Sequence, residues 1–437
     1  MRAHICVKNM QSSPILEASP TLRHPLSEGE ARRPRAAILY HYFYPDDVVS
    51  ARHYADLAEG LRDRGWDVEV WTSNRACRDE SVCYPPREDW RGIQIHRIRK
   101  PRFRPGSSIG RVFSIVWMIA AWTLALWRRR PDYPDVVVVG TDPPLSILTA
   151  WTVRLFRKEA RFAHWCFDLY PEAAVADGML SPGCRLERFL KRLARPAYRN
   201  LSLIADLGAC MRRRLDLYGH QAAKETLVPW ALVEPEKPAA PHPEVRTSLF
   251  GEAKLGLLYS GNFGRAHSHE AFFELARVLK EDKIGFTFGV RGNRADFLRD
   301  QIGRDDTNIR IAPFASEAEL EARLSAADIH LVSLRPEWEG LVVPSKFFGA
   351  LAAGRPILFD GPADSGVAAW IREHRVGWVL NSSTKESIAH ELRALASSKD
   401  RLTEMQKRCH RTYHRHFSKD VVLDRWDRAL RNCVGGL

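Results

Sequence analysis

Short apolar segments alternate with helix-forming segments throughout both halves of this chain. The apolar run 36–44 is followed by a segment, 50–64, with apolar residues at helical spacing, and then by the alternating stretch 67–72. That order is one βαβ unit, which places parallel strands in one sheet. The second half repeats the pattern from new apolar runs at 255–260 and 284–290. The sequence therefore predicts an α/β fold of two Rossmann-like domains that face each other across a cleft.

A proline-rich segment separates the two halves. Four prolines fall within 234–243, a composition typical of a linker. We therefore predict an N-terminal domain at 36–233, a C-terminal domain at 244–400, and C-terminal helices at 401–437 that pack back across the cleft. Residues 1–35 carry charges and prolines without a continuous apolar core, which predicts a mobile extension rather than a secretory signal.

The charge and cysteine content narrow the class of protein. The 66 Lys and Arg residues exceed the 53 Asp and Glu residues, giving a formal net charge of +13, so we expect anionic partners. Nucleic acid is not a predicted partner, because no zinc-finger, helix-turn-helix or aromatic RNA-binding signature accompanies the charge. The eight cysteines show no paired CxxC spacing, which indicates a reduced, cytoplasmic protein.

The longest apolar run, 112–127, is bracketed by arginines. It is shorter than the roughly 18 apolar residues that suggest a membrane-spanning helix. Two interpretations stay open. The run forms a buried or partly exposed helix of an α/β domain, or it lies in a membrane interface with Trp117, Trp122 and Trp127 at the headgroup level. The second interpretation predicts peripheral attachment to the inner face of the cytoplasmic membrane.

The stretch Glu339–Phe359 has the order loop, helix, strand. Pro344 and Ser345 are helix-opening residues, and Gly354 ends the predicted helix. A helix start exposes unpaired N–H groups and a positive dipole end that favour a phosphate, and Lys346 adds a full positive charge there. An ordinary βα unit with a surface lysine fits the same local pattern.

A second glycine-containing loop follows the predicted strand 255–260. Gly261 and Gly264 let the backbone approach a ligand, and Arg265 offers a fork of donors for a diphosphate. Asn262 lies between them. Two glycines alone are weak evidence, but their place between a strand and a helix strengthens it.

Polar side chains also follow strands in the first half. Ligands in open parallel sheets bind at the carboxyl ends of strands. We therefore take Asp168 and Glu172 as the first candidates for acceptor contacts or acid/base catalysis, and Asp142 and His164 as candidates for the cleft. Capping of the next turn is the structural alternative for Asp168, and a core histidine is the alternative for His164.

Three motifs resemble, in the same order, the family-4 glycosyltransferases of bacterial surface-polysaccharide synthesis. They are FDLYPEAAVADGML at 167–180, YSGNFGRAHSHE at 259–270 and the Pro-Ser-Lys segment at 344–346. The similarity runs from about Ala36 to about Val379, and more narrowly it is to the fucosamine-transferase and colanic-acid-type branch. The resemblance implies the GT-B arrangement, with the acceptor in the N-terminal domain and the nucleotide sugar in the C-terminal domain.

The resemblance also implies an activity and a set of ligands. It implies glycosyl transfer, with retention of configuration, from a nucleotide diphosphate sugar to a lipid-linked oligosaccharide or polyprenyl-type acceptor, and a UDP-sugar is the favoured donor. Pro313 and Phe314 resemble the segment beside the nucleotide base. Arg294, after the preceding strand, is a further donor-binding candidate, and Glu339 is the candidate for the carboxylate that contacts the donor sugar.

No metal or other cofactor is expected. No aspartate-x-aspartate pair follows a predicted strand as a metal holder, so the predicted enzyme is metal-independent. Charge on the departing diphosphate would be stabilised by Arg265, Lys346 and helix N-termini.

Two of the departures from the family pattern remove a group that the resemblance implies for catalysis or donor binding. Phe167 stands where many relatives carry a histidine, and Gly349 stands where a glutamate that accepts from the ribose hydroxyls is expected. These losses favour one alternative function, a non-catalytic scaffold of a polysaccharide assembly. A nucleotide-sugar epimerase, which can share the two-domain fold, is the other alternative.

Overall fold

The computed structural model describes most of the chain, in five ranges: 32–102, 108–129, 133–238, 240–292 and 294–435. The predicted extension at 1–35 lies almost wholly outside these ranges. All elements below belong to one compact unit, Arg33–Leu437.

The strands and helices alternate as the sequence predicts. The strands are β1 (Arg35–Leu39), β2 (Asp67–Ser73), β3 (Arg87–Trp90), β4 (Ile93–Ile98), β5 (Val136–Val139), β6 (Phe162–Trp165), β7 (Leu203–Asp206), β8 (Ala223–Thr226), β9 (Leu255–Asn262), β10 (Ile284–Arg291), β11 (Ile309–Ala312), β12 (Ile329–Ser333), β13 (Ile357–Asp360) and β14 (Gly377–Leu380). The helices are α1 (Val49–Asp63), α2 (Ser108–Arg128), α3 (Leu148–Arg154), α4 (Glu172–Ala176), α5 (Arg185–Arg199), α6 (Ala209–Asp216), α7 (Pro243–Phe250), α8 (Glu270–Val278), α9 (Ala295–Asp300), α10 (Leu320–Ala326), α11 (Lys346–Ala352), α12 (Gly366–His374), α13 (Lys385–Ser397), α14 (Lys399–His416) and α15 (Lys419–Val434).

The first half of the chain forms an eight-stranded sheet in the order β3-β4-β2-β1-β5-β6-β7-β8. Its pairs are parallel except for the edge pair of β3 and β4. The central strand β5 consists of four valines that are all buried, as expected where helices cover both faces of a parallel sheet. Three neighbouring strands, β1, β5 and β6, run in the same direction and end at one edge, which is where Asp142 and Asp168 follow.

The second half forms a six-stranded sheet in the order β11-β10-β9-β12-β13-β14, and its pairs are parallel. Strands β9 and β10 pair along their whole length, from Leu255 with Ile284 to Asn262 with Arg291. The side chains of Asn262 and Arg291 therefore leave the same edge of the sheet side by side. The predicted α/β fold with two Rossmann-like domains is confirmed.

The last helix returns to the first sheet. Helix α15 contacts α1, β5 and β7, and its Asp427 Oδ1 accepts a hydrogen bond from Trp66 Nε1 at 2.6 Å. Just before the predicted linker, the Ala231 amide donates to the Tyr413 hydroxyl on α14 at 2.8 Å. The residue boundaries of the two domains, linker and C-terminal helices stay a prediction.

Helix α2 is longer than the apolar run 112–127 indicates. It is long and apolar enough to cross a membrane, by length and composition alone. Yet Met118, Trp122 and Leu126 are fully buried and belong to the core beneath the first sheet. The placement of Trp122 at a headgroup level is therefore wrong, because its ring packs inside the protein.

Candidate active site

Lys346 lies across the end of strand β9. The backbone of Gly261 has a φ of +138°, and a Cβ placed there would stand 2.6 Å from Lys346 Cε. A side chain at position 261 would thus occupy the space of the lysine stem. The space beside the Gly261 backbone, predicted to let a ligand approach, is filled by the side chain of Lys346, the first residue of helix α11.

His267 supports the Lys346 ammonium without carrying charge. His267 Nδ1 lies 2.9 Å from the Ser333 carbonyl oxygen, and because a carbonyl only accepts, Nδ1 carries the hydrogen. The other nitrogen, Nε2, accepts from Lys346 Nζ at 3.4 Å. Burial, together with the charge of Lys346, lowers the pKa of His267 to about 3.

The Lys346 ammonium is held in a poorly solvated place. Its Nζ lies 5.1 Å from the centre of the Tyr259 ring, over the ring face. Burial lowers the pKa of Lys346 from 10.5 to about 8. Lys346 forms no ion pair with a carboxylate in the part of the chain that the structure describes. It is therefore suited to an anionic ligand, which would favour the charged form that burial disfavours.

Arg291, Phe314 and Asn262 form an aromatic and basic shelf beside Lys346. The Arg291 guanidinium carbon lies 4.0 Å from the centre of the Phe314 ring, a cation–π geometry. Arg291 Nε donates to Asn262 Oδ1 at 3.0 Å. These three residues, called the base shelf below, line the same cavity as Lys346.

That cavity has a volume of about 550 Å³, and we call it the donor cavity after the predicted donor-binding residues that line it. It is lined from both halves of the chain, by Arg52 and His53 of α1 on one side and by Gly261 and Lys346 on the other. A second cavity of about 800 Å³ is lined by Asp168 and Phe167, and we call it the acceptor cavity after the predicted acceptor candidate Asp168. Both cavities share a set of lining residues: Val49, His53, Arg78, Asn262, Arg291 and Ser345. The two cavities are therefore continuous parts of one cleft.

Ser345 and Gly349 lie in the cleft as predicted, with different environments. Ser345 is exposed and its hydroxyl makes no cap bond to α11, so it does not act as the predicted cap. Gly349 lines the donor cavity, and a Cβ there would meet only Leu324 Cδ1 at 3.7 Å. The absence of a carboxylate at Gly349 thus leaves open space beside α11.

Asp168 is the carboxylate of the acceptor cavity. It follows β6, and burial, with the nearby charge of Asp142, raises its pKa to about 6. Asp142 itself is a neighbour of the cleft rather than a lining residue, and its Oδ1 lies 3.0 Å from His41 Nδ1. His41 was not among the sequence candidates. It is buried just past the end of β1, and its Nε2 has no hydrogen-bond partner in the described part of the chain.

Two predicted residues of the first half are not in the cleft. His164 is buried in β6, where Nδ1 bonds the Val139 carbonyl oxygen at 2.9 Å and burial lowers its pKa to about 4. Glu172 accepts from the Tyr218 hydroxyl at 2.8 Å and lies 3.5 Å from Lys191 Nζ. The assignment of His164 to the cleft is wrong, because its side chain points into the sheet core. Glu172, the first residue of α4, is held by Tyr218 and by Lys191 of α5, and it lines neither cavity.

Glu339 and Arg265 make contacts on the rim of the cleft. Glu339 Oε1 lies 3.4 Å from Arg213 Nη2, and Arg265 Nη1 donates to the Asp177 carbonyl oxygen. Each contact joins a residue of one half of the chain to a residue of the other. The Arg265 side chain is 54% exposed, and it is not among the residues that line either cavity.

Three further donor candidates also lie outside the lining. Arg294 stacks over the Phe297 ring at 4.8 Å, and the Pro313 carbonyl accepts from Arg323 at 3.1 Å. The Gly264 carbonyl accepts from the His267 amide at 3.1 Å, which positions the histidine. Of the arginines that follow the predicted strand 284–290, Arg291 lines the cavity, three residues before the predicted Arg294.

The N-terminal half matches a known family. Residues 50–231 match the family model described as a glycosyl transferase 4-like domain. This half of the chain resembles a glycosyltransferase. The chain is also 26% identical over 250 residues to the probable glycosyltransferase WbjE of Pseudomonas aeruginosa, covering 56% of this chain. It spans 62% of the length of that curated relative.

Solved structures show the same architecture over nearly the whole chain. Sucrose-phosphate synthase from Thermosynechococcus elongatus superposes with a TM-score of 0.66 at 14% identity, covering 92% of this chain and 99% of that one. WaaG, a glycosyltransferase involved in lipopolysaccharide biosynthesis, gives a TM-score of 0.60 at 15% identity, with 92% and 100% covered. At such identities the likeness concerns the fold, and it confirms the predicted GT-B arrangement. The narrower fucosamine-transferase branch stays a prediction.

Proposed function

We propose that this protein is a glycosyltransferase that moves a sugar from a nucleotide diphosphate sugar to a lipid-linked oligosaccharide or polyprenyl-type acceptor. The observation that carries the proposal is the Lys346 ammonium, which is half-buried in the lining of the donor cavity and forms no ion pair with a carboxylate of the described residues. The similarity to the probable glycosyltransferase WbjE supports the transfer of a sugar, and the role in surface polysaccharide synthesis comes from the family resemblance of the three motifs. A UDP-sugar is the favoured donor, from the family resemblance.

The donor cavity offers a positive charge for the diphosphate of the donor and an aromatic surface for its nucleobase. Lys346 is assigned to the diphosphate, since it supplies a positive charge where little water competes. The base shelf is assigned to the nucleobase, with the Phe314 ring as the apolar surface and Arg291 as the adjoining cation. When the bond from the anomeric carbon to the diphosphate breaks, the negative charge that develops on the departing oxygen is stabilised by Lys346.

Asp168 is assigned to the acceptor hydroxyl. A new bond forms from the acceptor oxygen to the anomeric carbon, and the hydroxyl proton must leave. With a pKa of about 6, Asp168 is mostly a carboxylate at neutral pH and can accept a hydrogen bond from that hydroxyl, then its proton. Retention of configuration remains the expectation from the resemblance.

Transfer without a metal ion is part of the proposal. Lys346 supplies positive charge where a divalent cation would otherwise act on the diphosphate. Nucleotide binding and sugar transfer are therefore expected to be unchanged after treatment with EDTA. Loss of activity that Mg²⁺ or Mn²⁺ restores would contradict this part of the proposal.

A thermal-shift measurement with UDP, GDP, ADP and CMP tests the donor site. A nucleotide at about a hundred times its dissociation constant stabilises a protein by roughly 2.7 kcal/mol. The shift should vanish in Lys346→Met and persist in Lys407→Met, a matched change of a lysine that pairs with Glu404 on the surface of α14. No shift with any of the four nucleotides would sink the proposed donor site.

A non-catalytic nucleotide-sugar-binding scaffold is the second candidate. The specific observation in its favour is Gly349, which leaves the donor cavity without a carboxylate at the place where the family resemblance implies a ribose contact. A scaffold would bind nucleotide and fail to transfer or hydrolyse any sugar from a panel of UDP-sugars. Release of UDP in the presence of a lipid-linked acceptor would exclude it.

A further inference from the structure

Helix α2 has two apolar faces, and the fold covers one of them. Residues spaced by four, Ser114, Met118, Trp122 and Leu126, are buried against the first sheet. The opposite side is apolar as well, and its side chains stay in contact with solvent: Ile109 is 71% exposed, Val112 58%, Val116 58%, Trp117 46% and Trp127 46%. A helix apolar all round is normally enclosed on every side.

The exposed side of α2 continues onto neighbouring helices. Leu155 and Phe156, at the end of α3, are 61% and 60% exposed, and the Phe156 ring lies 6.0 Å from that of Trp127. Helix α3 packs on α2 and on α5, where Leu186 and Phe189 are 51% and 59% exposed. We call these residues of α2, α3 and α5 the outer apolar patch. Soluble monomers rarely expose such a patch without a partner.

Arginines border the patch. Arg185, Arg188 and Arg192 are exposed on α5 between its apolar residues, and Arg128 is exposed at the end of α2. The acidic residue of this part of α5, Glu187, is buried and pairs with Lys191 at 2.7 Å. The rim of the patch is thus basic. A second copy of this chain would bring another net charge of +13 toward it, whereas anionic lipid would be attracted.

The packing of α2 argues against a spanning orientation. Thr123 Oγ1 hydrogen-bonds Thr152 Oγ1 of α3 at 2.8 Å, and Trp117 Nε1 donates to the Arg99 carbonyl oxygen at 3.1 Å. Leaving these partners to cross a bilayer would uncover the core that Met118, Trp122 and Leu126 fill. The helix can stay in place and still present its outer side to a surface.

We propose that the outer apolar patch docks this protein on the surface of an anionic phospholipid bilayer, with α2 lying in the plane of the interface. Trp117, Trp127 and Phe156 would sit at the depth of the headgroups, and the α5 arginines would contact lipid phosphates. Only the biological purpose of this docking rests on the proposed function, because a membrane-bound enzyme reaches a lipid-linked acceptor most readily.

Co-sedimentation with vesicles tests the docking surface. Wild-type protein should pellet with vesicles of phosphatidylglycerol and phosphatidylcholine at low salt, and much less with phosphatidylcholine alone. Val116→Glu should lower the partition coefficient about tenfold or more, because it places a carboxylate in the apolar contact. Val278→Glu is the matched control: Val278 is 49% exposed on α8, outside the patch, and binding should be unchanged.

The outcomes separate docking from the proposed function. Val116→Glu should keep the full UDP-induced thermal shift, so loss of vesicle binding with retained nucleotide binding supports the surface alone. Replacing Arg185, Arg188 and Arg192 by Gln should weaken binding and flatten its salt dependence. Failure of the wild-type protein to pellet with anionic vesicles overturns the proposal, as does a dimer in sedimentation that Val116→Glu dissociates while vesicle binding is absent.

Discussion

Lys346 and Gly261 are packed so closely that a methyl group at position 261 would stand 2.6 Å from Lys346 Cε. The contact joins the end of β9 to the start of α11. In it, the aliphatic part of the Lys346 side chain packs directly against the backbone of Gly261. The ammonium at the end of that stem is then directed by His267 and the face of Tyr259.

Gly261→Ala is expected to damage both stability and binding. The new methyl meets the lysine stem, and the φ of +138° is unfavourable for alanine, so unfolding should become easier by about 1–3 kcal/mol. Nucleotide affinity should fall because Lys346 is displaced. Gly65→Ala is the control, since Gly65 also has a positive φ, +87°, but no atom within 4 Å of its Cβ position. Urea unfolding and nucleotide titration of both variants check this, and equal nucleotide affinity in the two would contradict it.

Nucleotide affinity should fall as the pH rises above about 8. Burial lowers the pKa of Lys346 to about 8, so the free protein loses the ammonium charge above that pH, while a bound diphosphate favours it. The dissociation constant should therefore increase up to about tenfold per pH unit. Calorimetric titration between pH 7 and pH 9 measures this, with Lys346→Met as the reference for titration of the nucleotide itself. Parallel pH profiles for the two proteins would show that Lys346 is not the titrating group.

The lowered pKa of Lys346 also makes the free energy of unfolding depend on pH, and this free energy rises with pH where the nucleotide affinity falls. Between about pH 8 and the ordinary value of 10.5, the unfolded chain binds a proton at Lys346 that the native protein does not. The contribution of Lys346 to the free energy of unfolding therefore rises with pH in this window. It should appear as the difference between wild type and Lys346→Met in urea unfolding without nucleotide.

Asp168→Asn should abolish most sugar transfer and leave nucleotide binding intact. Loss of a general base typically costs about 10²- to 10⁴-fold in rate. Because the pKa of Asp168 is about 6, kcat/KM should rise with pH through that value in the wild-type enzyme. Asp142→Asn should move the rise to lower pH, since the Asp142 charge helps to raise the pKa of Asp168. Glu172→Gln serves as a control, and unchanged kcat/KM in Asp168→Asn would remove Asp168 from catalysis.

Arg291 and Arg294 should differ sharply when changed to Ala. Arg291 lines the cleft on Phe314, whereas Arg294 packs on Phe297, so Arg291→Ala should weaken nucleotide binding at least about tenfold, as charged contacts contribute about 1.5–3 kcal/mol. Arg294→Ala should bind nucleotide like wild type. The two titrations are directly comparable. A larger loss of nucleotide affinity in Arg294→Ala than in Arg291→Ala would assign the contact to Arg294, as the sequence indicated.

Gly349→Ala should stabilise the protein by about 0.5–1 kcal/mol, because glycine is unfavourable within a helix. The added methyl would make an ordinary contact, at 3.7 Å, with Leu324. The midpoint of urea unfolding checks the sign. A lower midpoint would mean that α11 requires glycine for a reason other than space.

The two sheets, and the place of Lys346 at the start of a helix in the cleft, could be predicted from the sequence. Both depend on local pattern: alternating apolar runs in the first case, and a charge directly after helix-opening residues in the second. Arg291 was missed because β10 runs to Arg291, one residue beyond the predicted strand end, and that shift decides which arginine leaves the sheet edge. His41 and His164 show a second limit, that of side-chain direction. His41 lies past the end of β1, whereas the side chain of His164, on a strand as expected, is buried within β6.

Tertiary partners account for the remaining differences. No residue near Glu172 in the sequence indicates that its carboxylate accepts a hydrogen bond from the Tyr218 hydroxyl. Likewise, no residue near Arg265 indicates that its guanidinium donates to the Asp177 carbonyl oxygen. Such contacts join segments far apart along the chain. Trp122 differs from Trp117 only in the side of α2 on which it falls, and which side meets the sheet is fixed by the packing.

The full-length pairing of β9 with β10 has a consequence for the energetics of donor binding. Asn262 and Arg291 leave one continuous ribbon, and Gly261 on that ribbon also seats Lys346. The groups assigned to the base and to the diphosphate are therefore pre-organised relative to each other before any ligand arrives. Little conformational entropy is left to lose in this half of the cleft when a nucleotide binds.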